Sequence, residues 1–160
     1  MVHFFEFSAE HNMLRKAVRE FAETEVAPHA AEWDKKDICP TELFKKMGEL
    51  GIIGVFVPKE YGGGGLGFVG RAICLEEISR YSAGLGIALM THQLGIYLIL
   101  QYGTEVHKKK HISDLCAGVK IASFAATEPS GGTLPAGRSG FDSVRSDVAC
   151  SVDDHSRKHF

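Results

Sequence analysis

Residues 81–104 read YSAGLGIALMTHQLGIYLILQYGT, a run without Asp, Glu, Lys or Arg. A run of this length can cross the hydrocarbon layer of a bilayer, so its reading separates a membrane anchor from a buried helix. Thr91, His92 and Gln93 stand at its middle, where polar groups are costly in lipid, and Gly84, Gly86, Gly95 and Gly103 dilute its hydrophobicity. Within a bundle the same run suits a central helix that is apolar on most sides. The prediction is a core helix over residues 84–102 and no membrane contact.

The segments around it are amphipathic helices that need such a partner. Leu14, Ala17, Val18, Phe21, Ala22 and Val26 recur at helical spacing, with Arg15, Lys16, Arg19, Glu20 and Glu23 on the opposite face. Ser8 can cap that helix and Pro28 stops it, which places it over residues 8–27. A second helix is expected over 40–50, with Leu43, Phe44, Met47 and Leu50 inward and Gly51 closing it. Ile52 to Val57 then reads as a short buried extended segment, ended by Pro58. Further helices are expected over 69–81, which carries Glu76-Glu77-Ile78-Ser79-Arg80, and over 104–116, with Thr104 as its cap. The period changes at 120–126, the first expected strand, and a loop rich in Gly, Ser, Thr and Pro follows. From Ser139 onward the chain is polar and shows no sustained period. The plan is mainly α: five helices, one strand and no internal repeat.

Composition narrows the function classes. At roughly 150 residues per domain, 160 residues suit one domain, and an apolar fraction of 44% excludes wholesale disorder. Eighteen Lys plus Arg against twenty Asp plus Glu leave a net charge of −2, without the basic surplus of a nucleic-acid binder. Cys39, Cys74, Cys116 and Cys150 form no C-x-x-C pair. They fit either a disulfide framework or buried thiols. A chain able to build its own core, with no signal-peptide pattern in its first residues, favours reduced thiols in a cytoplasm or organelle interior.

Several motifs have plain readings. Gly65-Leu66-Gly67-Phe68-Val69-Gly70 matches G-x-G-x-x-G, but Pro58, Lys59 and Glu60 separate it from the preceding apolar run. No carboxylate stands at positions 83–92, where a dinucleotide fold would place one, so a tight glycine loop is expected. His107 and His111 have the spacing of metal ligands on a helix, yet Lys108, Lys109 and Lys110 lie between them, and a solvated face is expected. His92 reads as a hydrogen-bonded core histidine rather than a base. Cys150 with His155 is discounted as a nucleophile pair, because its surroundings show no pattern. Ala125-Ala126-Thr127-Glu128-Pro129-Ser130-Gly131-Gly132-Thr133 offers backbone amides and hydroxyls after a strand, a surface suited to a flat or phosphate-bearing ligand. By chemistry alone the signal is weak, since a Gly/Pro loop after a strand is most often just a turn.

In order and separation, these segments resemble the N-terminal part of the acyl-CoA dehydrogenase family of flavoenzymes. The resemblance covers residues 9–133. It is carried by Val26-Ala27-Pro28, Glu32-Trp33-Asp34, Gly51-Ile52-Ile53-Gly54, Val57-Pro58-Lys59-Glu60-Tyr61-Gly62-Gly63, Glu76-Glu77-Ile78-Ser79-Arg80, Thr91-His92, Tyr102-Gly103-Thr104-Glu105 and the 124–133 loop. It implies a helical domain over residues 1–118 and the start of a β-barrel domain over 119–160. It also implies FAD, an acyl-CoA substrate, transfer of electrons to an electron-transfer flavoprotein and a homo-oligomeric family, in a cytoplasm or mitochondrial matrix.

Residue by residue, the resemblance gives Phe124, Ala126 and Thr127 to the pyrimidine end of the flavin. Gly132 and Thr133 fall near the pyrophosphate and the substrate's pantetheine arm, and Ile87, Met90 and Leu94 on the wall around the acyl chain. The chain also departs from the pattern. Leu134 stands where the signature continues with Asp, and the only tryptophan is Trp33, so the flavin-strand tryptophan is missing. The catalytic glutamate, the rest of the barrel and the C-terminal helical domain have no counterpart in these residues. The expectation is a dehydrogenase fragment inactive by itself. Its rivals are a non-enzymatic helical interaction module and a membrane-anchored protein.

Overall fold

A computed structural model describes residues 7–123 and 152–154. Helix α1 (Ala9–Phe21) begins where Ser8 Oγ accepts the His11 amide at 3.3 Å. The predicted 8–27 helix does not stay α-helical throughout. It widens into a π-helical turn, Ala22–Val26, and the Ala27 amide donates to the Ala22 carbonyl at 2.9 Å. The Thr24 hydroxyl takes the Glu20 carbonyl at 2.9 Å, a local competitor that helps loosen the α-helical ladder. Beyond Pro28 a separate helix, α2 (Ala30–Lys36), ends at Asp37 in the left-handed region (φ 53°). The sequence plan omits it, since two turns are too short to display a period.

Helix α3 (Glu42–Glu49) follows, and Gly51 sits beyond its end with φ 71°. The expected extended segment at 52–57 is instead a series of tight turns, every residue of it buried. The run of apolar side chains reports burial, and burial alone does not choose between strand and turn. Helices α4 (Gly67–Ser79), α5 (Ala83–Tyr102) and α6 (Glu105–Cys116) lie close to their predicted spans, with Ser82 and Thr104 capping α5 and α6. Strand β1 (Lys120–Ala122) pairs antiparallel with β2 (Val152–Asp154), Lys120 opposite Asp154 and Ala122 opposite Val152. No element was expected at β2, whose three residues are too few to show alternation.

α1 packs on α4, α4 on α5 and α5 on α6. Their shared core contains Val18, Phe44, Met47, Ile53, Ile78, Leu89, Ile96, Ile112 and Leu115, all essentially without solvent exposure. By length and composition α5 is apolar enough to cross a membrane, yet Leu85, Leu89, His92, Gln93 and Ile96 are buried against the other helices.

Candidate functional site

Helix α5 is apolar almost all round, but its two faces do different work. The inner face carries His92 and Gln93, both fully buried. Gln93 Nε2 donates to the carbonyls of Ile52 (3.2 Å) and Ile53 (3.1 Å), while its Oε1 accepts from Arg71 Nε at 3.1 Å. Three further carbonyls of the 52–57 turns are met from the glycine loop. Gly64, Leu66 and Gly65 amides donate to Gly54, Val55 and Val57, each at 2.9 Å. Gly63 permits this approach, because a Cβ there would strike the Val57 carbonyl. Of the G-x-G-x-x-G run only Gly65 and Leu66 belong to the expected tight loop; Gly67 to Gly70 form the first turn of α4, and Gly65 and Gly67 have φ 69° and 62°.

His92 also behaves as a satisfied core histidine. Its Nε2–H donates to the Leu115 carbonyl at 3.0 Å, and its Nδ1 accepts the Ala122 amide at 2.9 Å. Burial pushes its pKa below the ordinary histidine value. The ring has no proton to take up without giving up one of these bonds, which argues against a role as a base.

The outer face brings together three of the predicted residues. Ile87 (61% exposed), Met90 (43%) and the half-buried Leu94 lie at i, i+3 and i+7, one stripe along the helix. Arg71 reaches beside this stripe from α4. Its Nη2 donates to the Met90 carbonyl at 3.3 Å, and its guanidinium lies 5.5 Å from the Phe56 ring centroid. Burial lowers the pKa of Arg71. Phe68, 57% exposed, stacks near Phe56 (6.0 Å) and meets Tyr97 edge-on (5.5 Å), so it extends the apolar surface to the start of α4. Sequence reasoning missed Arg71, Gln93 and Phe68. Arg71 had one available signal, as the lone charge within 67–75.

Elsewhere α1 and α4 are clamped by a charge cluster. Buried Glu77 takes Arg19 through two hydrogen bonds of 2.9 Å and Arg15 through one of 2.9 Å, with Arg80 at 3.7 Å, and Arg15 also binds Glu76. A groove of about 730 Å³ opens between α2 and the start of α5, lined in part by Trp33, Asp34, Cys39, Tyr81 and Ser82. Among the described residues no group of three or more His, Cys, Asp or Glu could hold a metal; of the two histidines expected on a solvated face, His107 is exposed whereas His111 is half-buried with Nδ1 enclosed. Cys39, Cys74 and Cys116 are free thiols, the last two buried. Phe124, Ala126, Thr127, Gly132 and Thr133, along with Cys150 and His155, lie outside the described residues.

The family model described as acyl-CoA dehydrogenase, N-terminal domain, matches residues 8–119. The chain belongs to the acyl-CoA dehydrogenase family. It is 43% identical over 125 residues to an acyl-CoA dehydrogenase of Bacillus subtilis, an overlap of 78% of this chain and 33% of that protein. It is 42% identical over 130 residues to the mitochondrial short-chain specific acyl-CoA dehydrogenase of Rattus norvegicus, covering 80% of this chain and 31% of that one. A solved glutaryl-CoA dehydrogenase of Mycobacterium smegmatis in complex with FADH2 superposes with a TM-score of 0.76 at 28% identity, over 82% of this chain and 34% of that one. The chain thus spans about a third of the length of the acyl-CoA dehydrogenases it matches. The helical fold and order of elements inferred from the resemblance hold.

An acyl-CoA dehydrogenase of this family implies a flavin. The two described side-chain polar atoms buried without a partner, Arg15 Nε and His111 Nδ1, sit on separate helices and do not form a ring-binding set. Thr127, which the resemblance sets beside the flavin ring, and Thr133, which it sets near the pyrophosphate, stand five and eleven residues beyond the end of β1, outside the described residues.

Proposed function

We propose that this chain is the helical N-terminal region, residues 1–118, and the start of the β domain, 119–160, of a flavin-dependent acyl-CoA dehydrogenase. In this reading α5 forms one wall of the acyl pocket. The observation that carries it is the division of α5: His92 and Gln93 fix the inner face, while Ile87, Met90 and Leu94 form an apolar stripe on the outer face. Helix α5 is thus held rigidly while it presents hydrocarbon to an acyl chain, which is what orienting Cα–H and Cβ–H bonds requires of the protein.

Phe124, Ala126 and Thr127 would hold the pyrimidine end of FAD, with Gly132 and Thr133 near its pyrophosphate and the pantetheine arm of the substrate. When bound, FAD supplies the acceptor for the β-hydrogen. The partners in this reading are an acyl-CoA, an electron-transfer flavoprotein and further copies of the same subunit, without nucleic acid or membrane, in a cytoplasm or mitochondrial matrix. The 160-residue polypeptide alone is expected to dehydrogenate no acyl-CoA, because the resemblance assigns the carboxylate base to none of its residues.

The test is a graft of residues 8–123 in place of the matching part of the Bacillus subtilis enzyme. The chimaera should retain flavin and reduce an artificial acceptor with acyl-CoA. Met90→Glu in the graft should raise KM for acyl-CoA about 10-fold or more, since it sets a carboxylate against hydrocarbon, and should leave flavin content unchanged. A flavin-loaded chimaera whose KM ignores both Met90→Glu and Ile87→Glu would remove α5 from the pocket wall.

A further inference from the structure

Two backbone groups from the two ends of one turn meet at a single imidazole. The turn joins α6 to β1. It is closed by the Gly118 amide on the Leu115 carbonyl (3.1 Å) and the Val119 amide on the Asp114 carbonyl (3.0 Å), with Gly118 at φ 67°. Leu115 precedes the turn and Ala122 follows it. His92 reaches both from the middle of α5, donating from Nε2–H to the Leu115 carbonyl (3.0 Å) and accepting the Ala122 amide at Nδ1 (2.9 Å).

Only the neutral tautomer with its proton on Nε2 makes both bonds. The ring is enclosed, with Phe44 edge-on at 5.4 Å between centroids. A second side-chain tie across this turn, Lys120 to Asp114 at 2.6 Å, is partly exposed and weak by comparison. β1 is only three residues long, and its described strand partner β2 is equally short.

We propose that His92 is a positioning residue: it latches the α6–β1 turn to α5 and so fixes where the chain leaves β1 for the segment that the function proposed above gives to the flavin. The latch stands on the described geometry, whereas its bearing on the flavin rests on the function proposed above. A ring with donor and acceptor on opposite sides does what an apolar core residue cannot. It fixes the strand in position and in direction at once, and it ties the acyl-side helix to the flavin-side strand.

Nitrogen-15 NMR of the intact 160-residue chain tests the latch without a mutation. A coupling across the hydrogen bond between the Ala122 amide and His92 Nδ1 is expected, with the imidazole shifts of the neutral Nε2–H form. Their absence would overturn the proposal. Hydrogen exchange then reads the consequence. His92→Leu should speed exchange at 120–123 by about 10-fold or more, the loss of one buried hydrogen bond, while α1 and α4 keep their protection. His92→Gln, which retains an acceptor and a donor, should restore most of it. Equal loss in both variants, or none in either, would reduce His92 to packing and overturn the latch. If His92→Leu does not fold, the cross-bond coupling decides.

In the 8–123 graft, His92→Leu should lower flavin retained per chain and His92→Gln should recover it. A lost latch with unchanged flavin would overturn the positioning half. An unmutated graft that holds no flavin would overturn the proposed function and, with it, that half, while the exchange data still judge the latch.

Discussion

At the scale of single residues, Glu77 shows how one buried charge is held. Hydrogen bonding to Arg19, reinforced by the charges of Arg15 and Arg80, keeps its carboxyl below the usual carboxylate range despite burial. The partners are not equivalent. Arg15 and Arg19 side chains are 23% and 42% exposed, whereas Glu77 has no exposure. Glu77→Gln releases the arginines into water and should cost about 1–3 kcal/mol. Arg15→Ala with Arg19→Ala strands the carboxylate and should cost about 3–5 kcal/mol. Urea unfolding of the two variants checks the order, and the reverse order would mean that Glu77 reaches water when its partners go. The thiols divide in the same way. Burial pushes Cys74 to about 12 and Cys116 to about 11, whereas Cys39 is exposed. A thiol reagent followed by peptide mapping should mark Cys39 in the native protein, and Cys74 and Cys116 only after unfolding. The pair Glu76-Glu77 was visible in the sequence, and so was the basic face of α1. That the two meet was not visible, because charge pairing between distant helices leaves no spacing signature.

At the scale of elements, the 52–57 turns and α5 depend on each other. Ile52, Ile53, Val55, Phe56 and Val57 carry a strand-like apolar run, but the carbonyls of Ile52 and Ile53 are met by Gln93, forty-odd positions away in sequence, and those of Gly54, Val55 and Val57 by amides of the glycine loop. Without those partners, buried turns would leave backbone acceptors bare. The sequence showed each piece: an apolar run, a glycine cluster, and a polar trio in an apolar helix. It did not show which would answer which, so an extended segment was the simpler reading. Gln93→Leu tests the dependence. It leaves two carbonyls and the Arg71 guanidinium without this partner, and it should cost about 2–4 kcal/mol. Faster hydrogen exchange should appear first at 52–66. Unchanged stability would mean that water replaces the amide.

At the scale of the whole molecule, the titrating groups set a direction for stability against pH. The folded pKa of His92 is lowered by burial, and that of His111 by burial together with Lys110 and Lys120. The unfolded chain therefore binds these protons at a higher pH than the folded one. As pH falls through the unfolded histidine value of about 6.5, unfolding takes up protons and stability declines. The slope is at most about 1.4 kcal/mol per pH unit for each proton. Glu77 adds a second loss at lower pH. Its folded pKa is depressed, so its contribution is present above the unfolded carboxylate range and disappears as pH falls through the folded value. The expected profile is level between neutrality and the ordinary thiol range. On the acid side it falls through the histidine range and further through the carboxylate range, and above the level stretch it falls as the unfolded Cys74 and Cys116 ionise. His92→Gln should remove part of the first fall, leaving that of His111, and should not touch the second. Thermal melts at constant ionic strength between neutrality and the carboxylate range measure this. If His92→Gln leaves the first fall unaltered, His92 takes up its proton at the same pH in the folded and unfolded chains, and the first fall belongs to His111 rather than to the core imidazole.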